Sequence, residues 1–121
     1  ATSRYARFQV ILPECYEAGQ TVNIVVSAKM ETTAASTSCT VDIEAYQLDK
    51  VGGISADLCA TAAQSMNSTT QANKTFSITA STLAPGDVLD VRLTIACNDT
   101  GTGTAVTPTI YAIDLQCDIK G

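Results

Sequence analysis

The residues of this chain able to do chemistry are few, and their spacing decides what they can do. Asp42 and Glu44 lie two apart in CTVDIEAYQL, which puts both carboxylates on one face of a strand. Two carboxyl groups at such a spacing could in principle act as acid and base on a sugar. That work needs two different environments, one apolar enough to raise a pKa, and a wet strand face supplies neither. The pair is therefore expected to be a solvated sheet face. Asp114 and Asp118, at the end of the last predicted strand, are read the same way.

The five cysteines, Cys15, Cys39, Cys59, Cys97 and Cys117, are odd in number and contain no C-x-x-C pair. Cys39, Cys97 and Cys117 fall in phase with inward-facing residues, so they are expected to be small buried hydrophobes, with a disulfide framework as the alternative. Reduced thiols would imply folding in a cytoplasm. Histidine is absent. This excludes Ser-His-Asp and Cys-His catalysis, the common zinc sites and the usual general base near neutral pH. Asn98-Asp99-Thr100-Gly101 starts like a calcium loop but lacks the later carboxylates, so a turn is expected. Gly101-Thr102-Gly103 lacks the third glycine and the helix of a phosphate cradle. Three N-x-[ST] triplets, at Asn67, Asn73 and Asn98, fall in predicted loops, which would suit glycosylation of a secreted protein, but chance is the stronger explanation in a chain this rich in Thr and Ser. No catalytic residue, cofactor-binding residue or metal ligand is expected, and no cofactor.

The elements that would position these residues are strands. In APGDVLDVRLTIAC a Pro-Gly turn opens ten alternating residues: Leu89, Val91, Leu93, Ile95 and Cys97 on one face, Asp90, Arg92, Thr94 and Ala96 on the other. A period of two means a strand with one dry face. The same alternation predicts strands over Arg4–Leu12, Val22–Met30, Cys39–Leu48 and Lys74–Ala80. A final strand follows, with Tyr111, Ile113, Leu115, Cys117 and Ile119 inward. ISADL suggests a short edge strand and ATAAQSM a helical turn. About seven or eight short strands, separated by polar connections such as ETTAASTS and NDTGTGT, predict an all-β, antiparallel two-sheet β-sandwich of jelly-roll type. In jelly rolls the first and last strands often share a sheet.

At 121 residues the chain, 1–121, is a single domain, large enough to bury roughly two-thirds of its unfolded surface. Its net charge is −5 and its seven basic residues are scattered, so nucleic acid is not an expected partner. Aromatics make up only 5% and tryptophan is absent, which weighs against a stacking platform for sugars or bases. No run reaches the roughly 18–20 apolar residues of a membrane span, so no membrane partner is expected. The start carries no secretory apolar region; Ala1 is consistent with a removed initiator methionine or a cut from a longer chain.

Several stretches together resemble a known group: VILPECYEAGQTVNIVVSAKM, GGISADLCATAAQSMNSTT, KTFSITASTLAPGDVLDVRLTIACNDTG and LQCDIKG. They are similar to small β-sandwich domains in structural proteins of tailed bacteriophages and related environmental viruses. There an L-P-x-x-Y-x-x-G opening is followed by ADL-x-A-T-A-A-Q-x-x-N and L-x-x-G-D-x-L-x-V-x-L-T. The resemblance runs from about Phe8 to Gly121 and brings no catalytic residues. It implies a non-enzymatic virion component, a capsid decoration protein or a fibre or spike module, assembled in the host cytoplasm. The implied partners are other copies of itself, for instance as a trimer, and a major capsid or other virion protein. The short chain favours a standalone subunit. Outward apolar residues Val25, Tyr46, Leu48, Val88 and Ile110 are the expected contacts. Two other readings stand beside this one: a module binding carbohydrate or a cell surface, and a subunit of an extracellular filament in which a terminal strand completes a neighbour's sheet.

Overall fold

A computed structural model describes residues 2–32, 38–49, 51–98 and 106–121. Those residues form eight strands and no helix: β1 (Thr2–Ile11), β2 (Val22–Met30), β3 (Ser38–Leu48), β4 (Ile54–Asp57), β5 (Gln64–Ser65), β6 (Ala72–Ile78), β7 (Val88–Asn98) and β8 (Pro108–Cys117). They build two antiparallel sheets. The larger runs β1-β7-β3-β4, with β5 also on β3; the smaller runs β6-β2-β8. The expected sandwich is what forms, but its terminal strands lie in different sheets: β1 flanks the larger and β8 the smaller. ATAAQSM makes the two-residue strand β5 instead of a helical turn. Gln64 and Ser65 pair with Val41 and Thr40, and the N–H of Met66 donates to the Cys39 carbonyl at 2.9 Å. These partners supply the bonds that an isolated helical turn would have had to make within itself.

The alternation fixes the core. Val41, Ile43, Ala45, Leu89, Val91 and Leu93 of the larger sheet meet Val22, Ile24, Val26, Ala28, Met30, Phe76 and Ile78 of the smaller, all buried. Each large aliphatic or aromatic side chain removed from water in this way contributes about 1.5–3 kcal/mol. Leu12, Tyr16, Met66 and Leu83, from connections between strands, complete it. Tyr16 is fully buried and its hydroxyl donates to the Gln20 carbonyl at 2.7 Å, which satisfies its polar end inside an apolar setting. The Pro-Gly turn before β7 forms as its sequence demands. Pro85 holds the second position, Gly86 takes φ +81° at the third, and the N–H of Asp87 returns to the Ala84 carbonyl at 3.1 Å.

The last strand departs from its sequence phase. Ser27 faces Ala112 while the next residue, Ala28, faces Ile110, so Tyr111 is an extra residue in β8. One inserted residue reverses which side chains face the core. Ile110, expected outward, packs against the core, and Tyr111, expected inward, stands exposed. Ile119 lies beyond the end of β8 and is also exposed.

Two thiols do not remain free. Cys39 and Cys97 face each other directly across β3 and β7 and are joined as a disulfide with a sequence separation of 58. The expectation of isolated buried thiols fails for these two because register brings them opposite one another. Cys15, Cys59 and Cys117 are free. A cross-link over that separation removes denatured-chain entropy worth about 2–4 kcal/mol. A Cys39→Ala/Cys97→Ala double variant is therefore expected to unfold in urea with about that much less stability. An unchanged transition would show that the cross-link contributes nothing.

Candidate functional surface

The outer face of the larger sheet carries Asp42 and Glu44 beside Arg7, Asp90 and Arg92. Asp90 points outward from β7 yet is only 4% exposed, because Arg7 of β1 lies over it: Nη2 donates to its Oδ2 at 2.6 Å and Nε at 3.2 Å. The Asp90 carboxylate, by hydrogen bond and then by charge, raises the pKa of that guanidinium. One row further, Arg92 lies 3.8 Å from Glu44 and 5.3 Å from the centre of the Tyr46 ring, and the Tyr46 hydroxyl donates to Glu44 at 3.1 Å. The cations of this face are bound by its own anions and rings.

Asp42 and Glu44 do share that face, both half-buried, so it is drier than a fully wet surface. Burial is the main effect on the Asp42 carboxyl and raises its pKa. The Ile43 N–H opposes that shift, and the charges of Glu44 and Asp57 add to it. Asp57 is occupied in structure: its Oδ1 accepts the N–H groups of Ala45 and Cys59, each at 2.9 Å. Asp114 and Asp118 are exposed on and just after β8 and are not brought to Asp42 or Glu44. Among the described residues no cluster of three or more Cys, Asp or Glu is placed to hold a metal ion.

Two of the free thiols are held away from nucleophilic reactivity. Burial raises the pKa of both Cys59 and Cys117, the opposite of what a reactive thiolate needs. A cleft of about 320 Å³ at the β3–β4 hairpin is lined by Gln47, Asp49, Gly53, Ile54 and Ser55. Its carboxylate is already engaged. Asp49 Oδ1 accepts the N–H groups of Val51 at 2.9 Å and Gly53 at 2.6 Å, and these lower its pKa. Of the N-x-[ST] triplets, Asn67 lies in a connection and Asn73 inside β6, not in a loop. The Asn98 triplet and the Asn98–Gly103 turn run into residues 99–105, outside the described residues.

The apolar contacts expected from the sequence are corrected by the register. Val25 is 6% exposed, flanked by Thr75 and Asp114 in the strands on either side of it. Leu48 and Val88 face each other across β3 and β7 and are half-buried, as are Tyr46 and Ile110. The large apolar side chains that do stand exposed are Tyr5, Ile11, Val51, Ile54, Tyr111 and Ile119. They were missed because a period-two pattern assigns faces and says nothing of whether another sheet covers a face. The signal that could have found Tyr5 and Ile11 was their position on the polar side of the Arg4–Leu12 alternation.

The two flanks of the sandwich differ. On one, the segment just after β4 lies along the end of β6. The Thr79 N–H donates to the Leu58 carbonyl at 2.7 Å, the Ala60 N–H to the Ser77 carbonyl at 2.8 Å, and Cys59 bridges Ile78. These bonds join the two sheets. On the other flank, among the described residues, β1 pairs with β7 alone and β8 with β2 alone. Comparison with family models, curated proteins and solved structures finds no match to this chain.

The shift at Asp42 sets a pH dependence. A carboxyl whose pKa is raised by folding contributes stability that is complete below its unfolded value, about 3.9, and is lost as pH rises through its folded value. Asp42→Asn, neutral throughout, is therefore expected to gain stability relative to the parent protein as pH rises from about 4 towards 7. Thermal unfolding of both proteins across that range measures it. A difference that stays flat with pH would contradict the shift.

Proposed function

We propose that this chain is a non-enzymatic structural subunit of a virus particle, a capsid decoration or fibre-type protein that works by assembling with copies of itself and with a major capsid or other virion protein. The observation that carries the reading is the open flank: two strand edges unpaired among the described residues, with exposed apolar side chains, beside a charged face whose cations are already matched. Exposed strand edges favour pairing with another chain. The sequence stretches that resemble phage and environmental-virus sandwich domains support the virion setting. The Cys39–Cys97 disulfide is compatible with it, because a released particle meets an oxidising medium in which such bonds persist. No nucleic acid or membrane contact is part of the proposal.

Quantitative mass spectrometry of gradient-purified particles from the source of this sequence tests it. The chain is expected to band with the particles at a fixed ratio to the major capsid protein. Its absence from particles, or strong and specific binding on a glycan array by the free protein, would overturn the reading.

A further inference from the structure

Register lines up apolar side chains on the outer face of the larger sheet, at the end where β3 turns into β4. Ile11 of β1 lies opposite Val88 of β7, Val88 opposite Leu48 of β3, and Leu48 opposite Ile54 of β4. Side chains of directly paired residues point to the same face, so the four form one row across the strands. None of the four belongs to the core or packs against it. Ile11 and Ile54, at the ends of the row, are 66% and 58% exposed, and Leu48 and Val88 between them are half-buried. Val51, in the turn of the same hairpin, is 93% exposed. The next rows of this face are polar: Gln9, Asp90 and Tyr46, then Arg7, Arg92 and Glu44.

Two properties select what covers the row. The first is charge. In the neighbouring rows Asp90 is bonded to Arg7, Arg92 stands 3.8 Å from Glu44, and Asp57 accepts the N–H groups of Ala45 and Cys59. Those rows offer a charged partner no group that is not already engaged, and an uncharged apolar surface fits the row best. The second is area. The row and Val51 together leave on the order of 300 Å² of aliphatic surface in water. In an interface of ordinary composition, a little over half apolar, that corresponds to about 500 Å² from each of two copies. The resulting total of about 1,000 Å² lies at the low end of specific interfaces. It is enough for a pair that forms and separates with concentration and too little for a permanent one.

We propose that the occupant of this row is the same row of a second copy, in a reversible dimer. Its two-fold axis lies in the plane of contact and runs along the row, so that each side chain meets its own counterpart. This axis reverses strand direction between the copies. The charged rows of the two therefore extend to opposite sides and stay in water. An axis along the strands would stack those rows on each other and strip them of water. The contact is self-complementary and closed. It rests on the assembly reading above and does not use the edges of β1 and β8.

Sedimentation velocity across a concentration series tests it with two variants at exposed positions, Ile11→Lys/Ile54→Lys and Ile11→Glu/Ile54→Glu. Tyr111→Thr, exposed on β8, is the control. Circular dichroism and thermal unfolding check folding, and Ile11→Thr/Ile54→Thr, which keeps the strand preference, carries the test if a charged pair fails to fold. The parent and Tyr111→Thr are expected to pass from monomer to dimer alike, and each charged variant alone to associate roughly tenfold or more weakly. An equimolar mixture of the two charged variants is expected to regain the dimer, with native mass spectrometry finding one chain of each kind, because opposite charges then meet across the axis. Charged variants that dimerise like the parent, or loss of the dimer in Tyr111→Thr, would place the contact elsewhere and leave the assembly reading intact. A mixture that does not recover would overturn the meeting of row with row. A parent protein that stays monomeric throughout would overturn the dimer, while the particle measurement above decides the assembly reading separately.

Discussion

Every backbone N–H and C=O at the edge of a sheet has to find a partner or remain in water, and this sandwich meets that constraint differently on its two sides. Where the segment after β4 meets the end of β6, hydrogen bonds from Thr79 and Ala60 bridge the gap and join the two sheets. Where β1 and β8 lie, the sheets end among the described residues. The core follows from this asymmetry. Ile43, Ala45, Ile24 and Phe76, in the middle and toward the closed side, are fully buried, while Phe8 and Val10 of β1 and Ile113 and Leu115 of β8 are not.

Much of the architecture was legible because the strands obey one simple period. Val22–Met30 is predicted and observed with the same ends, and Cys39, Val41, Ile43 and Ala45 of β3 and Leu89, Val91 and Leu93 of β7 are buried as their phase predicts, with Ile95 and Cys97 partly so. What the period could not carry was anything requiring knowledge of the neighbouring strand. The bulge at Tyr111 turns the first part of β8 over, and only the pairing with Ser27 and Ala28 reveals it. The same holds for Cys39 and Cys97. Each is in phase with its own strand, but that they lie opposite each other is a fact of register between residues separated by 58 positions. Tyr16 was unreadable for another reason: it sits in a turn whose surrounding residues are polar, and its burial comes from the loop folding back beneath the sandwich.

The shape of the surface was not legible in the sequence. Burial shifts the thiols at Cys59 and Cys117 away from reactivity. The charged residues instead organise the outer face of the larger sheet, with Arg7 drawn over Asp90 and Arg92 set between Glu44 and Tyr46. Which apolar residues are free to touch another molecule depends on coverage by the opposite sheet and by adjacent strands. Val25 therefore disappears from the surface, while Tyr5 and Tyr111 emerge on it.

If the sheets are joined on one side and end on the other, backbone amides should report it directly. Hydrogen–deuterium exchange of dilute protein measures this residue by residue. The account predicts that the amides of Ala60 and Thr79 are protected, while alternate amides in 6–11 and 112–117, those turned away from β7 and β2, exchange quickly. Fast exchange at Ala60 and Thr79, or protection of every amide in β1 and β8, would contradict it.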